Sequence, residues 1–80
     1  MYENIQLYYL FTFFQVDVYS FGLLLLEMCI REYPVLDQIP RQIQHVPCPR
    51  LQDLIGRCVE QAPERRPKMD EVIQILTQLM

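Results

Sequence analysis

From residue 16 onward the sequence predicts an all-α fold, on three observations. Apolar residues from Leu51 to Val59 recur at helical spacing, and a second apolar face runs from Met69 to Leu79. A proline-free leucine run follows Asp17.

The first 15 residues are aromatic and β-prone (Leu7, Tyr8, Tyr9, Leu10, Phe11, Phe13, Phe14) and do not alternate, so periodicity there does not separate a buried strand from a buried helix. From Asp17 the pattern sharpens. Its carboxylate is suited to cap a helix by accepting from a free backbone N–H, and Val18 to Ile30 holds no proline. Leu23, Leu24, Leu25 and Leu26 cover every side of that helix, which predicts burial all round. Gly22 costs up to about 1 kcal/mol in a helix interior, and a close packing neighbour would explain its presence.

Pro34, Pro40, Pro47 and Pro49 break up residues 33 to 50, which reads as an irregular connection with one short helical turn between Arg41 and His45. Pro49 suits the first turn of the next helix. Leu51, Leu54, Ile55, Cys58 and Val59 then fall at i, i+3, i+4, i+7 and i+8, with Gln52, Asp53 and Arg57 outside and Pro63 as the stop. The last helix begins near Lys68, with Met69, Val72, Ile73, Leu76 and Leu79 on one face and Asp70 and Glu71 in its first turn.

Composition narrows the function classes. The chain has 80 residues, 51% of them hydrophobic, with 7 cations against 10 anions and a net charge of −3. One small domain is the ceiling, and it buries only about 60% of its extended surface. That charge balance builds no positive field for nucleic acid, and the apolar content argues against disorder. Glu3, Asp17 and Glu27 are the only charges before Arg31, so the whole net charge sits in a greasy first third. A membrane role is disfavoured. Ile5 to Phe14 is short of the roughly 20 apolar residues a span needs, and extending it to Leu26 places Asp17 near the centre. Met1-Tyr2-Glu3-Asn4 offers no basic residue of the kind that opens a signal peptide. Cys29, Cys48 and Cys58 are odd in number and form no C-x-x-C pair, so reduced thiols in an intracellular, cytoplasmic setting are expected.

No phosphate-cradling glycine loop is present. His45 and Cys48 are the one close pair of metal ligands, against the four a structural zinc site takes. As isolated residues, Cys29 and Cys58 read as inert core thiols, Asp17 as an N-cap and Arg66 as a solvated loop cation.

Two strings carry more. Asp17-Val18-Tyr19-Ser20-Phe21-Gly22, running into the leucines and Glu27-Met28, resembles the start of the long buried helix in the C-terminal lobe of protein kinases. Leu51-x-x-Leu54-Ile55-x-x-Cys58-Val59 followed by Pro63-Glu64-Arg65-Arg66-Pro67 resembles the last characteristic block of that family, where a helix ends in a D-P-x-x-R-P turn and another begins. Both occur in the right order with a proline-containing segment between. The resemblance covers residues 16 to 79, and the leucine-rich form is most similar to tyrosine kinases and tyrosine-kinase-like Ser/Thr kinases.

The resemblance implies an incomplete C-terminal lobe of a kinase-like fold: three main helices with an irregular proline-rich connection, after a non-family apolar segment at 1–15. It implies structural roles for Asp17, Gly22, Pro63, Arg66 and Pro67. Asp17 matches the aspartate that holds the catalytic loop from beneath, and Arg66 matches the arginine that pairs with the A-P-E glutamate. A complete parent would use ATP and Mg²⁺ to phosphorylate protein Ser, Thr or Tyr. This sequence has no H-R-D, D-F-G or A-P-E and a single lysine, Lys68, so no catalytic, cofactor or metal residue is assigned. Ala62 replaces the usual Asp, Val59 stands where Trp is common, and Lys68 replaces a capping Ser or Thr at a loss of roughly 1 kcal/mol. The alternatives are a non-catalytic module binding protein partners or chaperones through residues 35–48, or a relic without selected function and with loose helical packing.

Overall fold

The computed structural model describes the backbone of residues 2–79 and the side chains of residues 14–79. The fold is all-helical, with no strand among the described residues, consistent with a kinase C-lobe fragment. Helix α1 spans Tyr2–Ile30, a 3₁₀ turn at Leu36–Gln38 leads into α2 (Ile39–Ile43), α3 spans Pro49–Cys58, and a second 3₁₀ turn at Pro63–Arg65 precedes α4 (Met69–Leu79).

Helix α1 is the main departure from expectation. It has 29 residues and does not begin at Asp17 but runs continuously from Tyr2. The first proline is Pro34 and the first glycine Gly22, so nothing earlier breaks the i→i−4 ladder. Asp17 therefore lies inside the helix, exposed, and is not an N-cap.

Nor is α1 buried all round. Leu26 is buried, Leu23 and Leu25 are half-buried, and Leu24 is 53% and Met28 69% exposed. Among the described residues α2, α3 and α4 pack against one side of α1.

Helix α1 ends at Arg31, whose N–H donates to the Glu27 carbonyl at 2.7 Å and whose φ is 59°. This is the left-handed cap geometry in which glycine carries no Cβ penalty and arginine does. Arg31→Gly is expected to raise stability by about 0.5–1 kcal/mol in dilute urea melts, and a lower midpoint would contradict the strain.

The proline-rich connection is ordered by one buried amide. Gln42 accepts from the Val35 N–H and donates to the Tyr33 carbonyl, both at 3.0 Å, closing the loop between α1 and α2. The expected short helical turn is present two residues earlier than read, at Ile39–Ile43 with Pro40 in its first turn. Gln52 is not simply outward. Its amide donates to the carbonyls of Gln44 (3.2 Å) and Val46 (2.7 Å), fastening the end of α2 to α3.

Two apolar clusters hold the helices together. Leu26, Ile39, Val46, Ile55 and Val59 join α1, α2 and α3. Val18, Leu54, Cys58 and Val72 join α1, α3 and α4, with Met69, Ile75 and Leu76 packed against them. Ile73, read as part of the buried face of α4, is 57% exposed, because the helix packs through Val72, Ile75 and Leu76 instead. Pro49 takes the first-turn position as expected, and the Cys48 carbonyl accepts from Gln52 at 2.9 Å.

Candidate functional site

The two sequence strings meet in space, and the residues that join them are Gly22 and Arg66. Gly22 is buried where α1 crosses the end of α3. A Cβ placed on it would sit 2.6 Å from the Cys58 Cβ and 3.0 Å from Val59 Cγ1. Only hydrogen at that position allows the helices this close. The expected packing neighbour is therefore the end of α3, at Cys58 and Val59.

Arg66 is half-buried and not a solvated loop cation. Its Nε donates to the Glu60 carbonyl at 2.6 Å, Nη1 to the Gln15 carbonyl at 3.0 Å and Nη2 to the Gln61 carbonyl at 3.3 Å. The guanidinium carbon lies 4.7 Å from the centre of the Tyr19 ring, a cation–π distance. One planar fork thus ties the 60–67 turn to α1 across 51 positions of chain.

The turn is built to present Arg66. Pro63 opens the 3₁₀ turn, the Arg65 N–H donates to the Ala62 carbonyl at 3.0 Å, and Arg66 itself is extended at φ −77°, ψ 146°. Pro67 is buried behind it. Ala62, where the family has Asp, provides no side-chain cap. At the start of α4 the Lys68 carbonyl accepts from the Val72 N–H at 3.0 Å, and Asp70 Oδ1 accepts from the Glu71 N–H at 2.9 Å.

The predicted site residues therefore divide. Gly22, Pro63, Arg66 and Pro67 lie at or beside this junction, whereas Asp17 faces solvent on α1, two positions from Tyr19. Gln15 and Tyr19, the partners of Arg66, were not singled out in the sequence. Gln15 is only 3% exposed, and its side-chain oxygen has no hydrogen-bond partner. The D-V-Y-S-F-G string could have pointed to Tyr19, but nothing in sequence announces a carbonyl acceptor so distant along the chain.

The cysteines are free. Burial pushes the Cys58 thiol up to about 11, with Arg57 opposing and Glu71 adding a little. Cys29 is raised too, first by burial and then by nearby Cys48. Cys29 and His45 line one cleft with Glu32, Arg41 and Gln42. Among the described residues no group of three His, Cys, Asp or Glu side chains could hold a metal ion. The raised Cys58 value has a definite sign for stability. Above the unfolded thiol value near 9 the unfolded chain loses this proton and the folded one keeps it, so stability falls from about pH 9 and levels near 11. Cys58→Ala should remove that slope from a pH series of urea melts, and an unchanged slope would show that Cys58 is not its source.

Gly22 and Gly56 both lie inside helices rather than in a loop, and Lys68 sits at the start of α4. The geometry supplies a scaffold junction. The Arg57–Glu71 ion pair at 2.8 Å joins α3 to α4 on the surface, where such pairs contribute little.

The chain is 37% identical over 73 residues to the serine/threonine-protein kinase Wnk of Drosophila melanogaster, a match covering 74% of this chain and 3% of that protein. It is 32% identical over 80 residues to the human mitogen-activated protein kinase kinase kinase 7, covering 80% of this chain and 13% of that one, and the bovine form matches equally. The chain thus spans a small part of the curated relatives it matches. No family model matches. No solved structure matches either. The similarity to protein kinases supports a kinase-like fragment.

Proposed function

We propose that residues 16–79 are the end of a protein kinase C-lobe, and that the chain acts as scaffold and not as catalyst. The observation that carries this reading is the meeting of the two kinase-like strings, with Arg66 of one on Tyr19 of the other and on the carbonyl of Gln15, two residues ahead of that string. In a complete parent, phosphate would pass from ATP to a protein Ser, Thr or Tyr. Asp17 would there hold the catalytic loop, and Arg66 would exchange part of its carbonyl set for the A-P-E glutamate. Gly22, Pro63 and Pro67 would keep the turn and the long helix in register. The leucine-rich D-V-Y-S-F-G form favours a parent among the tyrosine kinases and tyrosine-kinase-like Ser/Thr kinases. Three free cysteines suit a reducing, intracellular compartment. Among the described residues no helix is long and apolar enough to cross a membrane.

Phosphoryl transfer depends on positioned metal, phosphates and base, and the given sequence has no H-R-D or D-F-G to supply them. The 80-residue chain is expected to show no saturable heat on titration with ATP and Mg²⁺ and no transfer of labelled phosphate to protein substrates. Saturable nucleotide binding or transfer by the purified chain would overturn the scaffold reading.

A further inference from the structure

We infer that Cys29 and Cys48 are a redox pair, which hydrogen peroxide joins as a disulfide that fastens the end of α1 to the start of α3. Both thiols are free and half-buried, within reach of a small solute, whereas Cys58 is only 1% exposed.

The fold brings the two sulfurs together across the proline-rich connection. Cys29 packs against the buried cluster that contains Val46, and Leu51 packs against the same cluster. Cys48 lies two residues after Val46 and three before Leu51, so the chain on both sides of it is seated where Cys29 is seated. Cys29 also shares a cleft with His45. The Gln52 amide holds this stretch in place through the carbonyls of Gln44 and Val46. Cys48 itself is the N-cap of α3, extended at φ −106° and ψ 119°, and its side chain makes no capping bond. Its sulfur is therefore not committed to the helix it opens. The Cys29 thiol is raised first by burial and then by Cys48, and the second cause requires the two sulfurs to be neighbours.

A disulfide needs the two Cα atoms within about 7 Å, and residues 44–48 carry no helix that would resist a small closing shift. Everything that positions the pair lies on the side of α1 that α2 and α3 cover, so the pairing draws on no uncovered surface.

The chemistry balances with peroxide as the oxidant. One thiolate sulfur attacks a peroxide oxygen, the O–O bond breaks, and the departing hydroxide takes the thiol proton as water, leaving a sulfenic acid. The second sulfur attacks the sulfenic sulfur. The S–S bond forms, the S–O bond breaks, and hydroxide leaves as water with the second thiol proton. Two thiols are oxidised to one disulfide, and one peroxide is reduced to two waters.

Treating the purified 80-residue chain with hydrogen peroxide at neutral pH, alkylating the remaining thiols and digesting with trypsin reads the pairing directly. The three cysteines fall in separate peptides, residues 1–31, 42–50 and 58–65. The expected result is a link between 1–31 and 42–50, with Cys58 alkylated and the link lost on adding dithiothreitol. Cys58→Ala should keep the link, and Cys29→Ser or Cys48→Ser should lose it without a new link to Cys58. In urea the same oxidation should shift towards Cys48 with Cys58, which closes the shorter loop, so a Cys29–Cys48 link reports the fold and not the chain. The urea midpoint should rise on oxidation and return on reduction, because the link restricts the unfolded chain. A link to Cys58 in the folded chain would overturn the inference. So would links between chains in place of the internal one, or oxidation that runs on to sulfinic acid without pairing.

Discussion

Replacing Gly22 by valine is expected to destabilise the chain by about 3 kcal/mol, because even the first added carbon meets the Cys58 Cβ at 2.6 Å. That neighbour is the stem of its side chain and cannot swing aside, so α1 and α3 must separate. Gly22→Ala should lose less but keep the sign, against the gain of up to about 1 kcal/mol that alanine gives at an ordinary helix position. Gly56 provides the control. It also lies in a helix, and a Cβ there meets nothing within 4 Å, so Gly56→Ala should stabilise by about 0.5–1 kcal/mol. Opposite signs at the two glycines, read as urea midpoints, would establish the close crossing. Equal signs would contradict it. Cys58→Ala should not rescue Gly22→Ala, since alanine retains the offending Cβ, whereas Cys58→Gly should rescue it in part.

Removing the Arg66 side chain is the second large expectation, a loss of about 2 kcal/mol for Arg66→Ala. Three carbonyls lose their donor together, at Gln15, Glu60 and Gln61, and the Tyr19 ring loses its cation. Two of these bonds are exposed and water replaces them, which holds the figure below the sum of three buried bonds. Arg66→Lys should recover less than half of the loss. A single ammonium keeps the charge but cannot reach three carbonyls at once. Tyr19→Leu combined with Arg66→Ala should cost less than the two losses added, as expected for groups in contact. Strict additivity would separate the ring from the guanidinium.

Much of this architecture was legible in sequence for identifiable reasons. Helices α3 and α4 declare themselves through apolar spacing, with Pro49 marking the start of one and Asp70 and Glu71 that of the other, whereas α3 ends at Cys58, ahead of the stop read at Pro63. Gly22 was readable as a close approach because a glycine inside a leucine-rich helix needs a reason, although its partner Cys58 was not. The start of α1 was hidden because its aromatic residues follow no period. The same property concealed its exposure, since leucines on every side do not say which side finds a neighbour. Ile73 misled for a smaller reason of the same kind, as a stripe wider than its contact leaves one residue in water. The Arg66 junction could be anticipated only as a family position. Its acceptors are main-chain carbonyls, and these leave no trace in residue type.

The Gly22 crossing and the Arg66 fork together make residues 17–67 one interlocked unit, so loss of either should spread. Helix α1 would lose its seat on α3, and the turn that launches α4 would lose its anchor. Ala62 gives the turn no side-chain cap, leaving Arg66 with a larger share of its stability than a capped turn would give it.

The most direct test of the scaffold claim is a chimera in which residues 16–79 replace the matching stretch of the human mitogen-activated protein kinase kinase kinase 7 catalytic domain. Phosphoryl transfer is the readout, and the unaltered domain and a Gly22→Val chimera are assayed beside it. If these residues are a kinase C-lobe scaffold, the chimera folds and transfers phosphate, and Gly22→Val abolishes the transfer. A chimera that is folded yet inactive, or one indifferent to Gly22→Val, would contradict the account.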